Sequence, residues 1–214
     1  MIYSVENNLL KITVSSYGAE LLSVINKKTG EEMMWQGDPE IWSGHCPMLF
    51  PYCGKIKNGS YKLDGKEFNV EKHGFIKDME HDFVSAENGQ LHFIATSNGE
   101  TLKLFPRDFV FETIYTLCGN TLKYVVKITN KSKKELRFGL GFHPAFNIPF
   151  DKNHSTKDYD LQFDSPQTVV VKENYTSGPF EGLVSEEKSV LTNNSKVIEL
   201  NDHMFDKDSF YSDS

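Results

Sequence analysis

The chain has 214 residues, 38% of them hydrophobic and 25% charged, and a formal net charge of −7. This composition is typical of a globular protein rather than a disordered one, and the acidic balance argues against nucleic acid or an anionic membrane surface as a partner. No segment approaches the roughly 20 apolar residues of a membrane span, and the amino terminus has no signal-peptide pattern, so we expect a cytoplasmic protein.

Alternating apolar and polar residues predict β-strands from the start of the chain. Residues 10–14 alternate in this way. Residues 61–63 and 67–70 flank the turn pair Asp64-Gly65, and Asn88-Gly89 precedes another alternating run, so each turn pair predicts a hairpin. Residues 38–42 begin with Asp38-Pro39, which indicates a single helical turn.

The second half of the chain repeats the strand pattern. Residues 109–117 and 122–128 alternate on either side of a Gly-containing turn and predict an antiparallel hairpin. Residues 136–142 form one more alternating face that leads into His143, and the polar residues 151–160 are expected to form a surface loop. Because no helical repeat of ten residues is found, we predict an all-β fold, an antiparallel β-sandwich.

The domain organisation is expected to be simple. No linker, repeat or low-complexity segment divides the sequence, so residues 1–214 are predicted to form a single domain. Residues 205–214 end in or just after a further strand pattern. The prediction is therefore an uncovered C-terminal edge, through which the protein could self-associate.

The cysteines and histidines do not have the spacing of a metal site. Cys46, Cys53 and Cys118 are few, odd in number and without a CxxC pair, which argues against disulfides and structural zinc. We expect free thiols, buried or half-buried, and no metal.

Two histidines stand out among the seven by their context. His73 precedes Gly74, which permits close approach of backbone or ligand, and His143 stands before Pro144, which is expected to end a strand. Imidazole exchanges protons near neutral pH, so either residue could be an acid or a base. The alternative is a histidine packed at the edge of the core, which is common in proteins.

Residues 35–61 are rich in aromatic side chains that alternate with polar groups. Such a set suits a sugar, whose ring C–H groups stack on aromatic faces while its hydroxyls form hydrogen bonds. Most of these aromatic residues are expected in the core and one or two at a ligand; they are Trp35, Trp42, Phe50, Tyr52 and Tyr61.

An ordered set of short motifs resembles the aldose 1-epimerase family, in particular its LacX-like and hexose-6-phosphate mutarotase branch. Each motif is weak alone, but their common order is specific. The motifs are Ser16-Tyr17-Gly18-Ala19-Glu20, Trp35-Gln36-Gly37-Asp38-Pro39, Pro47-Met48-Leu49-Phe50-Pro51, Lys55-Ile56-Lys57-Asn58-Gly59, His73-Gly74-Phe75 and His143-Pro144-Ala145-Phe146.

The resemblance implies a galactose mutarotase-like supersandwich that binds a free aldose and interconverts its α and β anomers without a cofactor. By matching motif, His143 would protonate the ring oxygen and His73 would bind or polarise it. Lys55 would bind substrate, and Asp208 would bond sugar hydroxyls, with Asp206 as the competing choice.

Two departures from the family pattern bear on activity. The family usually has arginine at the position of Lys55 and often at the position of Lys77. Lysine keeps the positive charge but lacks the planar, two-pronged guanidinium donor of arginine. The resemblance also places the family's general-base glutamate in strands beyond residue 214, and neither Glu112 nor Glu199 lies in a comparable motif. We therefore expect a sandwich incomplete at its C-terminus that has the acid half of the site. The alternative is a non-catalytic carbohydrate-binding module or pseudoenzyme.

Overall fold

The computed structural model describes residues 1–175, 183–206 and 209–212. The chain divides into two compact units, Met1–Asn147 and Ile148–Ser214. Each unit has its own strands and its own hydrophobic core. The expectation of a single domain stays a prediction.

The first unit consists mainly of antiparallel strands. Their bounds are Ile2–Glu6 (β1), Leu10–Ser15 (β2), Leu21–Asn26 (β3), Met48–Leu49 (β4), Ser60–Leu63 (β5), Lys66–Asn69 (β6), Asp82–Glu87 (β7), Gln90–Thr96 (β8), Phe109–Cys118 (β9), Thr121–Asn130 (β10) and Gly141–Phe142 (β11). Short 3-10 turns cover Lys57–Gly59 and Ile76–Asp78, and the helix Gly99–Leu104 (α1) is capped by the Asn98 side chain. Within the described residues, no helix has the length and apolar character to cross a membrane.

Two sheets of the first unit enclose a shared core. One has the order β1-β2-β3 and the other β10-β9-β8-β7. Tyr115 joins the core to the loop after β2, because its hydroxyl donates to the Ala19 carbonyl at 2.7 Å. The core side chains are Ile12, Val14, Ala19, Leu21, Met34, Cys46, Leu91, Phe93, Tyr115 and Leu117. The all-β antiparallel prediction is confirmed.

The predicted hairpins form where the turn residues indicated them. Asp64-Gly65 joins β5 to β6 and Asn88-Gly89 joins β7 to β8, and all four residues have positive φ angles. Asn, Asp and Gly tolerate this left-handed backbone, which matches the twist of a hairpin. Strands β9 and β10 pair from Cys118 and Thr121 outward, as predicted.

The prediction of one continuous strand over residues 136–142 is wrong. Only Gly141–Phe142 is a strand, paired with Met48–Leu49. The neighbouring segment contains Pro47 and Pro51, which have no N–H to donate and so interrupt the ladder.

The second unit is a smaller antiparallel sheet of order β13-β12-β14. Its strands are Asp160–Asn174 (β12), Val184–Glu199 (β13) and Phe210–Tyr211 (β14), preceded by a 3-10 turn at Thr156–Asp158. The predicted loop at 151–160 is confirmed up to residue 159, because β12 begins at Asp160. The buried residues of its core are Val169, Val171 and Ile198.

The three cysteines are free, as expected, but they differ in burial. Cys46 is buried, whereas Cys53 and Cys118 are exposed. The expectation of burial is wrong for these two because Cys118 ends β9 at a turn and Cys53 lies in the irregular segment after β4.

Candidate active site

His143 is positioned by an interrupted antiparallel ladder. The Gly139 N–H donates to the Pro51 carbonyl at 2.7 Å, Gly141 pairs with Leu49, and the His143 N–H donates to the Pro47 carbonyl at 3.2 Å. All three contacts belong to a single antiparallel register between the two segments. Within it the prolines accept hydrogen bonds through their carbonyl groups but have no N–H to donate.

The strand ends at Phe142, before Pro144 as expected, but hydrogen bonding in the same register continues beyond the proline. The Ala145 N–H donates to the His45 carbonyl at 2.9 Å, so the register continues past the proline. The His45 and Cys46 N–H groups instead donate to Glu20 Oε1, each at 2.8 Å. Glu20 therefore satisfies the backbone donors where this segment begins.

His73 is held by a reciprocal contact with Gly54. The His73 N–H donates to the Gly54 carbonyl at 3.0 Å, and the Gly54 N–H donates to His73 Nδ1 at 3.0 Å. His73 has a φ of 72°, in the left-handed region that non-glycine residues rarely occupy. A non-glycine residue held in this conformation is often found at a functional site.

Gly74 explains how His73 reaches its position. Its φ is +73°, and a Cβ atom there would lie 2.2 Å from the Phe50 carbonyl oxygen. The backbone can approach β4 this closely only with glycine at position 74. The Phe75 N–H then donates to the same carbonyl at 3.0 Å, which fixes the segment beside Phe50.

These contacts bring the two predicted histidines together. Their ring centroids are 5.8 Å apart with an interplanar angle of 76°. His73 is half-buried and His143 is exposed, so the pair lies at the surface of the first unit. The sequence expectation that both imidazoles serve one site is consistent with this geometry.

Burial keeps His73 neutral at physiological pH. Burial is the largest cause, and the nearby side chains of Lys72, His143 and Lys77 add to it, so that the pKa of His73 falls from 6.5 to about 4. Because Nδ1 accepts a hydrogen bond from Gly54, the proton of the neutral ring lies on Nε2. His73 can therefore donate one hydrogen bond without carrying a charge.

The other residues predicted for the site are Lys55 and Asp208, with Asp206 as the alternative to Asp208. Lys55 is exposed and directly follows Gly54, the partner of His73. Asp208 lies outside the described residues. Asp206 belongs to the second unit, where its Oδ2 is 3.1 Å from His203 Nδ1. Among the residues that the structure describes, no group of His, Cys, Asp and Glu has the arrangement of a metal site.

The aromatic residues of the 35–61 segment divide between core and site. Phe50 is fully buried, and the Tyr61 hydroxyl donates to the Leu104 carbonyl at 2.7 Å. Trp42 instead lies beside His143, with ring centroids 5.1 Å apart. The expectation that most of the five aromatic residues lie in the core is wrong, because Phe50 alone among them is buried and the other four are half-buried. That one or two of them contact a ligand stays a prediction.

Two supporting residues were missed by the sequence reasoning. Gly54 has no local signal, because its contact with His73 spans two separate segments of chain. Glu20 lies in the motif Ser16-Tyr17-Gly18-Ala19-Glu20, but the motif alone gave it no structural role.

Comparison with known proteins gives consistent matches over nearly the whole chain. The family model described as Aldose 1-epimerase matches residues 1–211. Protein LacX (chromosomal) of Lactococcus lactis subsp. lactis is 28% identical over 215 residues, which cover 97% of this chain and 71% of that protein.

Two solved structures share the fold. A galactose mutarotase related enzyme from Lactobacillus acidophilus is 33% identical with a TM-score of 0.90, over 99% of this chain and 69% of that one. A galactose mutarotase-like protein from Lactobacillus casei is 30% identical with a TM-score of 0.81, over 94% of this chain and 67% of that one. The predicted galactose mutarotase-like β-sandwich is confirmed.

Proposed function

The chain belongs to the aldose 1-epimerase family, and we propose that it binds a free aldose and interconverts the α and β anomers by acid–base ring opening. The observation that carries this proposal is the convergence of His73 and His143, with centroids 5.8 Å apart at an open surface. A neutral N–H donor and an accessible second imidazole are the groups that proton transfer to a sugar ring oxygen requires.

The proposed reaction moves protons and one C–O bond. His143 gives a proton to the ring oxygen as the bond from C1 to that oxygen breaks, and the C1 hydroxyl gives its proton to a base, for which solvent water can serve, as the aldehyde forms. After rotation about the C1–C2 bond, the ring oxygen attacks the other face of C1 and returns its proton to His143, while the aldehyde oxygen takes a proton back from the base and becomes the C1 hydroxyl again. Throughout, the His73 Nε2–H donates a hydrogen bond to the ring oxygen. These steps require no metal or organic cofactor.

The base that accepts the C1 hydroxyl proton is not assigned to a described residue. None of the described groups whose charge acts on His73 is a carboxylate; they are Lys72, His143 and Lys77. This observation favours the second candidate, a sugar-binding protein without full catalytic power, in which the acid half of the site serves recognition. Acceleration by the acid half alone is expected to be weaker than that of a site with both groups.

The proposed substrate is a hexose or a hexose 6-phosphate. Lys72 and Lys77 lie close enough to influence His73, and Lys55 follows its partner Gly54. Lysine can bind a phosphate as a point charge, although it lacks the two-pronged geometry of arginine. A cytoplasmic location is part of the same proposal, since the three free thiols suit a reducing compartment.

Polarimetry of freshly dissolved α-glucose and α-galactose tests the function. We expect the protein to accelerate the decay of optical rotation, and the variant His143→Asn to lose about 10²-fold of that acceleration, because the proton donor is removed. His154→Asn is the matched control, since the His154 ring contacts Asp151 and Tyr159 and not the two site histidines.

Three results distinguish an active mutarotase from a sugar-binding protein and test the role of His143. Loss of acceleration in His143→Asn but not in His154→Asn supports catalysis. Saturable sugar binding without acceleration supports the sugar-binding alternative. Equal rates for the wild type and His143→Asn would remove His143 from the mechanism.

A further inference from the structure

The indole of Trp42 lies against the imidazole of His143. The ring centroids are 5.1 Å apart and the planes are tilted by 40°. Trp42 is half-buried, whereas His143 is exposed. Trp42 therefore borders the side chain of the proposed acid.

The position of Trp42 is fixed by its surroundings. The Trp42 N–H donates to the Asp38 carbonyl at 2.7 Å, which closes the predicted helical turn, and the Trp42 carbonyl accepts from Trp35 Nε1 at 2.7 Å. Gly44 packs so closely on the indole that a Cβ atom there would lie 2.5 Å from Trp42 Cζ2. The indole is therefore packed against Gly44 and cannot move closer to this residue.

Within the part of the chain that the structure describes, no hydrogen bond orients the His143 ring. An imidazole that exchanges protons in an active site is commonly oriented by a hydrogen bond to its second ring nitrogen. Considering residues 1–175, 183–206 and 209–212, neither ring nitrogen of His143 has a hydrogen-bond partner; its ring contacts are with Trp42 and His73. Of these two contacts, only the indole offers a broad surface on which the ring can rest.

We propose that Trp42 is a positioning residue, which holds the His143 imidazole in the orientation needed to protonate the sugar ring oxygen. The catalytic part of this proposal rests on the proposed function. The contact between Trp42 and His143 does not depend on that function. It assigns the orienting role to packing against a fixed indole, in place of a hydrogen bond.

Kinetic measurements separate positioning from simple sugar stacking. For Trp42→Ala we expect kcat of mutarotation to fall about tenfold or more, with KM changed less than about threefold, because misplacement of a catalytic group by about 1 Å is costly. Trp42→Phe, which keeps a flat ring, is expected to recover most of the rate. Ile41→Ala is the matched control, since Ile41 is the adjacent residue and is 75% exposed. A rise in KM at unchanged kcat would show that the indole only binds sugar, and would overturn the proposal.

Nuclear magnetic resonance of the histidine rings tests the contact without any activity. In Trp42→Ala the ring proton signals of His143 are expected to move toward the positions of a free histidine, while those of His154 stay fixed. His143 signals that do not change in Trp42→Ala would overturn the proposal even in an active protein. If the wild type accelerates no mutarotation, the proposed function fails, and a moved His143 signal still supports the orienting contact.

Discussion

His73 combines an uncommon backbone conformation with an uncommon protonation state. Its left-handed φ of 72° lets both its N–H and its Nδ1 face Gly54. Sequence reasoning selected His73 from the His-Gly-Phe motif, and the structure gives a physical reason for the motif. The histidine needs the following glycine because the chain passes directly over the Phe50 carbonyl.

The low pKa of His73 predicts a specific pH dependence of stability. Burial lowers its pKa from 6.5 to about 4 in the folded protein, so the unfolded state binds more protons between these values. The contribution of His73 to stability is therefore intact above pH 6.5 and falls as the pH drops toward 4. His73→Asn removes the titration, tolerates a positive φ and keeps an oxygen that can accept from Gly54. Urea unfolding of this variant should depend less on pH between 6.5 and 4 than that of the wild type; parallel curves would contradict the assignment.

Gly74 should be intolerant of any side chain. In Gly74→Ala the new Cβ atom would lie 2.2 Å from the Phe50 carbonyl oxygen, at a φ of +73°. We expect a loss of about 2–4 kcal/mol in the free energy of unfolding, from steric overlap and left-handed strain together. Gly65→Ala is the control, because its φ is +76° but nothing lies within 4 Å, and it should lose only about 1 kcal/mol. Equal losses in urea unfolding would show that the contact with Phe50 is unimportant.

The elements around the site differ in how far the sequence predicted them. Hairpins such as β9–β10 are encoded locally, by alternation and by turn residues, and they were predicted correctly. The pairing of residues 139–145 with 45–51 was not, because it joins distant segments and two prolines leave it without a regular ladder. That irregular pairing brings His143 beside His73. Both histidines could therefore be selected from the sequence as site candidates, but their contact could not be predicted from it.

Glu20 is expected to stabilise the beginning of this irregular pairing. Its Oε1 accepts from the N–H groups of both His45 and Cys46. In Glu20→Ala these two donors lose their partner, and we expect the free energy of unfolding to fall by about 2 kcal/mol. Glu20→Gln keeps an acceptor oxygen and should lose less than about 1 kcal/mol. Thermal or urea unfolding compares the two variants, and equal stability of Glu20→Ala and the wild type would exclude this role.

At the scale of the whole molecule, the predicted self-association is best tested on the second unit. There β14, which lies within the predicted C-terminal edge, is at one end of the sheet order β13-β12-β14, and Tyr211 on this strand is 49% exposed. Exposed edge strands pair with other chains unless charges oppose it. We expect size-exclusion chromatography to show concentration-dependent association, and Tyr211→Lys to shift the protein to the monomer. A monomer at every concentration would contradict the prediction.

The central claim is that one sugar contacts both imidazoles, and the most direct measurement is a titration of the histidine ring signals with sugar by nuclear magnetic resonance. With glucose, galactose or their 6-phosphates, the account predicts that the signals of His73 and His143 shift together and saturably, while those of His92 and His154 do not. Saturating sugar that leaves both signals unchanged, or that shifts only histidines elsewhere, would contradict the account.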